Sequence, residues 1–138
     1  MSQTTIKREL STLRRHAERI VSSEPVVYAD RAIGDEHPQG DVKFTRLAAL
    51  PAGAKRIDKP SAQLAPGTTQ GSRHVLNDMN GIELYQAPDA GPLDGPIIVS
   101  ECPFTVDHPE HAVVTFPAGI EAVTYQRAFA EELRRVQD

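Results

Sequence analysis

The chain of 138 residues carries one cysteine, no tryptophan and only two methionines. A single thiol, Cys102, excludes an internal disulfide framework and fits a reducing compartment. No apolar run approaches the roughly 18 residues that cross a bilayer as a helix. The opening MSQTTIKREL has no apolar stretch of the signal-peptide kind. These features lead to the expectation of a cytoplasmic protein without membrane contact. An excess of positive charge is missing too. The formal net charge of −4 excludes a globally basic nucleic-acid binder, though not a local basic patch. There is no internal repeat and no low-complexity tract.

What is present divides the chain at about residue 24. Ile6, Leu10, Leu13, Ala17 and Ile20 recur at spacings of 4, 3, 4 and 3, the apolar seam of an amphipathic helix. Glu24 and Pro25 end it, since proline disfavours helical geometry in the residue before it. Residues 1–22 hold five basic and two acidic side chains, so the arm is positive and the rest of the chain negative. Residues 1–24 are therefore expected to be a helical arm. Ile6, Leu10, Leu13 and Ile20 are its contact residues toward its own domain, a second copy or another protein.

Residues 25–138 read as a β-rich domain. Ten prolines and nine glycines fall between residues 34 and 119, and short strand-like stretches lie among them. The expected strands are residues 26–28, 42–47, 74–76, 82–85, 97–101, 112–116 and 122–126. All but the first lie within residues 39–138, which are expected to fold without the arm. Val42 and Phe44 alternate with Lys43 and Thr45, a half-buried pattern. Ile97, Ile98 and Val99 suit a central strand. Asn80-Gly81 and Pro117-Ala118-Gly119 are turn signals. Phe129, Leu133 and Val136 mark a short C-terminal helix. The expected fold is mainly β, a small barrel or sandwich with an N-terminal amphipathic helix and a short C-terminal helix.

The densest group of polar residues is Asp107-His108-Pro109-Glu110-His111. Imidazole and carboxylate suit zinc, iron, nickel or manganese. His74, in a glycine-bearing loop, can join them, making His74, His108, Glu110 and His111 the candidate ligands of a divalent metal. The simpler reading is a polar turn shaped by its prolines, with no cofactor. Because Pro109 constrains the turn and surface loops readily carry histidines, the three imidazoles are expected not to converge. Gly67, Gly71 and Ser72 do not form a phosphate-binding loop, for the Gly-Lys-Ser/Thr ending is missing. No Gly-x-Ser-x-Gly elbow is present, and nothing in the sequence activates Cys102.

The order Gln39-Gly40-Asp41-Val42, Leu50-Pro51, Gly67 with Gly71 and His74, His108-x-Glu110-His111, Pro117-x-Gly119 and Gln126-Arg127 resembles an uncharacterised family of small bacterial and phage-type proteins. The resemblance covers residues 39–138 and implies no established activity. Its pattern implies histidines at positions 72 and 74, and here position 72 is Ser72, which weighs against a metal. The leading expectation is a non-enzymatic β-rich binding or assembly protein with a protein partner or a second copy. The alternatives are a small metal-binding protein, cupin-like or hydrolytic, and a nucleic-acid accessory protein using the basic helix.

Overall fold

A computed structural model describes residues 24–126. The seam residues Ile6, Leu10, Leu13 and Ile20 and the tail residues Phe129, Leu133 and Val136 lie outside the described residues. Ten strands follow one another: β1 (Val26–Val27), β2 (Glu36–Gln39), β3 (Val42–Leu47), β4 (Lys55–Arg56), β5 (Val75–Leu76), β6 (Ile82–Gln86), β7 (Asp94–Ser100), β8 (Phe104–Asp107), β9 (Val114–Phe116) and β10 (Gly119–Tyr125). A single 3-10 turn, Gln70–Ser72, precedes β5. The strands form two open sheets, of order β1-β9-β8-β5 and β2-β3-β10-β7-β6-β4, giving a sandwich-like fold.

The period of two explains the larger sheet. Val42, Phe44 and Arg46 of β3 point inward, and Lys43, Thr45 and Leu47 alternate with them. β10 lies antiparallel beside β3 with Val123 opposite Phe44 and Glu121 opposite Arg46. Ile97 and Ile98 on β7 are both buried, on opposite faces of a strand with neighbours on either side. From the smaller sheet, Val106, Val114 and Phe116 pack against Phe44, Ile98 and Val123. Burying each such side chain is worth about 1.5–3 kcal/mol, and this shared apolar layer holds the sheets together.

Three strands escape the composition-based reading. β2 carries Glu36, His37 and Pro38, yet pairs with β3 at the sheet edge, where proline is tolerated. β4 is two exposed basic residues. β8 falls in a stretch read as the flank of a turn. The chain from residue 25 to 35 is also part of the fold. β1 pairs in parallel with β9, Tyr28 is buried in the core, and Arg31 enters a buried ion cluster. Residues 25–35 thus add a strand, a core ring and a buried charge to what residues 39–138 supply.

Candidate functional site

Pairing between β5 and β8 assembles the histidines. Val75 lies opposite Asp107 and Leu76 opposite Val106, so His74 and His108, one residue beyond each strand, come face to face. Their ring centroids are 4.3 Å apart, and His111 follows at 4.7 Å from His108. The three imidazoles form a row, contrary to the expectation that they stay apart. His74 is fully buried and His108 nearly so, whereas His111 is exposed.

Gln39, at the end of β2, wires the row to the other sheet. Its Nε2 donates to the carbonyls of Val106 at 3.1 Å and Ala112 at 2.9 Å. Those two carbonyls fix the amide orientation, so Oε1 faces Nδ1 of His74 at 2.7 Å and accepts its proton. His74 thus carries hydrogen on Nδ1 and a lone pair on Nε2, which is buried and has no hydrogen-bond partner. His108 is the other tautomer. Its Nδ1 accepts from the Glu110 backbone N–H at 3.0 Å, and its Nε2 donates to the Gly71 carbonyl at 3.1 Å. Glu110 therefore enters the cluster through its backbone.

Burial, then the neighbouring His108 and His111, lower the His74 pKa from 6.5 to about 4, with the Gly71 backbone pulling the other way. Burial also lowers the pKa of His108, with the Gly71 carbonyl, Glu110 and Asp41 pulling the other way. Gly40, in the loop joining β2 to β3, lets His111 approach. A Cβ there would stand 2.6 Å from Cδ2 of His111, and the backbone φ of +57° is itself one that favours glycine. Among the described residues, no three His, Cys, Asp or Glu side chains are placed to hold one metal ion. What the row does as it stands is join β2 to β5, β8 and β9 through neutral hydrogen bonds.

The sequence reading missed two features. Gln39 appeared there only within a motif, and its signal was a long amide beside a turn glycine. The second is an ion cluster at the β9–β10 turn. Glu121 is fully buried and receives Arg31 Nη2 at 2.8 Å on Oε1 and Arg46 Nε at 2.6 Å on Oε2. Arg46 also donates to the Pro117 and Ala118 carbonyls, both at 2.9 Å. The Arg31 guanidinium lies over the Tyr28 and Phe116 rings, at 4.7 and 5.0 Å. Cys102 is exposed, with its sulfur beside the Asn80 carbonyl.

One concavity, about 640 Å³, is an open groove with Leu64, Leu84, Pro96 and Tyr125 among its walls. It contains none of the histidines.

Neither a curated protein nor a solved structure matches the chain. A family model described as a domain of unknown function, DUF8820, matches residues 38–126. That span takes in Gln39, His74, His108, His111, Arg46 and Glu121 and begins after Tyr28 and Arg31. A match over well more than half of the chain places this protein in the DUF8820 family.

Proposed function

We propose that this protein is a non-enzymatic, cytoplasmic assembly domain that acts through protein–protein contacts, with a second copy of the chain as its partner. The observation that carries the reading is the position of the exposed apolar side chains. Among the described residues the exposed large hydrophobics are Val27, at 47% exposure, and Ile33, at 64%. Both lie in the stretch between the apolar seam of the arm and β2, on either side of the core residue Tyr28. Val27 sits on β1, an edge strand of two residues. Isolated exposed apolar residues are ordinary. In the sequence these two follow the seam residues Ile6, Leu10, Leu13 and Ile20, and the reading assigns all six to one contact with a second copy.

The polar clusters fit this reading, because all their donors and acceptors but His74 Nε2 and Arg31 Nη1, both buried, are turned to partners inside the molecule. Gln39 and Arg46 each make three bonds to other elements, and Glu121 binds two guanidinium groups. The test is the mass of the full chain by light scattering. Replacing Leu10 and Leu13 by alanine removes side chains worth about 2–5 kcal/mol each where fully buried. The expected result is conversion to monomer, with V27K/I33K weakening association less. An unchanged mass together with an unchanged melting temperature for L10A/L13A sinks the proposal.

A further inference from the structure

We propose that the open groove beside Tyr125 is the seat of the chain's own C-terminal segment, residues 127–138, laid in as one amphipathic helix on Phe129, Leu133 and Val136. The groove is built on the core. Leu84 in its lining is buried, and Ile57 and Tyr125 are half-buried and pack against the core cluster. The Tyr125 hydroxyl donates to the Leu64 carbonyl at 3.0 Å, which ties β10 to residues 63–66, also part of the lining. The volume of about 640 Å³ falls within the roughly 300–1,000 Å³ of sites that enclose a small ligand, so it admits several apolar side chains.

The chain leaves the larger sheet at this groove. β10 ends at Tyr125, β7 begins at Asp94 and β6 ends at Gln86, and all three residues line it. Gln126 is anchored there, its backbone N–H on the Asp41 carbonyl at 2.9 Å and its amide on the Gly40 carbonyl at 3.2 Å. Phe129 follows three residues later, at most about 10 Å from Gln126. The lengths agree as well. From β10 across β7 and β6 to Ile57, whose N–H bonds the Leu84 carbonyl and so prolongs β4, is three strand spacings, about 14 Å. A helix over residues 127–138 measures about 18 Å, and its stripe from Phe129 to Val136 about 10 Å. Residues 127–138 hold three basic and three acidic side chains, so the attraction is apolar rather than one of net charge. A helix this short is marginal by itself and takes its stability from packing its apolar face. The attachment at Gln126 brings the groove within reach of that face.

The experiment is NMR of the isotope-labelled full chain, with a synthetic peptide of residues 127–138 as reference. Nuclear Overhauser contacts are expected from the Phe129 ring and the Leu133 methyls to Ile57, Leu84 and Pro96. Amide exchange over residues 129–136 should be at least about tenfold slower than in the peptide. Phe129→Ser with Leu133→Ser removes both signals and leaves the strand amides protected. On the groove side, Ile57→Lys and Ala90→Glu each speed exchange in the tail. Ala90 is exposed, so that variant decides should Ile57→Lys fail to fold. Mixing labelled with unlabelled chains shows whose tail is seated, and contacts within one chain are expected. Contacts found only between chains would place a second copy's tail in the groove and overturn the proposal. So would tail amides that exchange as fast as those of the peptide, or tail protection that neither groove substitution alters.

Discussion

Two buried polar clusters tie the sheets of this sandwich together, and they are made of opposite materials. At the β9–β10 turn the ties are charges, Arg31 and Arg46 against Glu121, with carbonyls and aromatic rings taking up part of the surplus positive charge. At the other, Gln39 and the histidines are joined by neutral hydrogen bonds. The first holds its elements together by paired charges. The second depends on imidazoles staying neutral, and its hydrogen bonds are laid out for that state only. The comparison teaches that an ion cluster and an amide–imidazole cluster can do the same structural work with different sensitivity to conditions.

The largest break comes from the ionic side. Glu121→Gln leaves two buried guanidinium groups without their carboxylate. Removing one partner of a buried pair costs about 3–5 kcal/mol. Urea denaturation at pH 7 is expected to show a loss of that size, and a loss below about 1 kcal/mol would mean that water reaches the cluster.

Acid breaks the neutral side. The folded-state pKa of His74 is about 4, below the ordinary 6.5, so the unfolded chain takes up the proton first. The contribution is therefore complete above about pH 6.5 and is lost as pH falls toward 4. At about 1.4 kcal/mol per pKa unit, the loss from His74 is at most about 3.5 kcal/mol. Denaturant midpoints at several pH values check this. The slope between pH 6.5 and 4 should flatten in His74→Gln and persist in Glu121→Gln.

Gly40→Ala sharpens the comparison with a smaller effect. The new methyl pushes His111 aside, and the left-handed backbone adds about 1 kcal/mol. In a His111→Ala background only the backbone cost should remain. The thermodynamic cycle between the two substitutions measures the ring contact, and strict additivity would show that His111 does not rest on Gly40.

Sequence patterning made β3 and the inner position of the β7 residues legible, because two-residue alternation and a continuous apolar run are local signals. The Pro117-Ala118-Gly119 turn was legible for the same reason. β2 was not, since Glu36 and Pro38 are poor strand formers and only pairing with β3 holds them extended. The histidines could be picked out individually, but their convergence could not. It depends on one register, Val75 against Asp107, between strands some thirty residues apart. Glu121 stayed hidden because the strand was expected to begin at Ala122, whereas β10 begins at Gly119. The same alternation, carried two residues on from Phe44, reaches Arg46, a step the sequence reading did not take; a buried arginine demands an acid.

The ends of the described chain share one end of the sandwich. Val26 donates its backbone N–H to the Val113 carbonyl, and Gln126 donates to the carbonyls of Asp41 and Gly40. Gly40 and Ala112 are in turn linked through His111 and Gln39. The domain is thus a handle with both attachment points on one side. Two cargoes fused through residues 25 and 126 would leave side by side rather than from opposite poles. A short linker between those residues would close the chain and allow new termini to be opened elsewhere. A force applied across them would peel the two-residue β1 from β9 before it loaded the long β3–β10–β7 ladder.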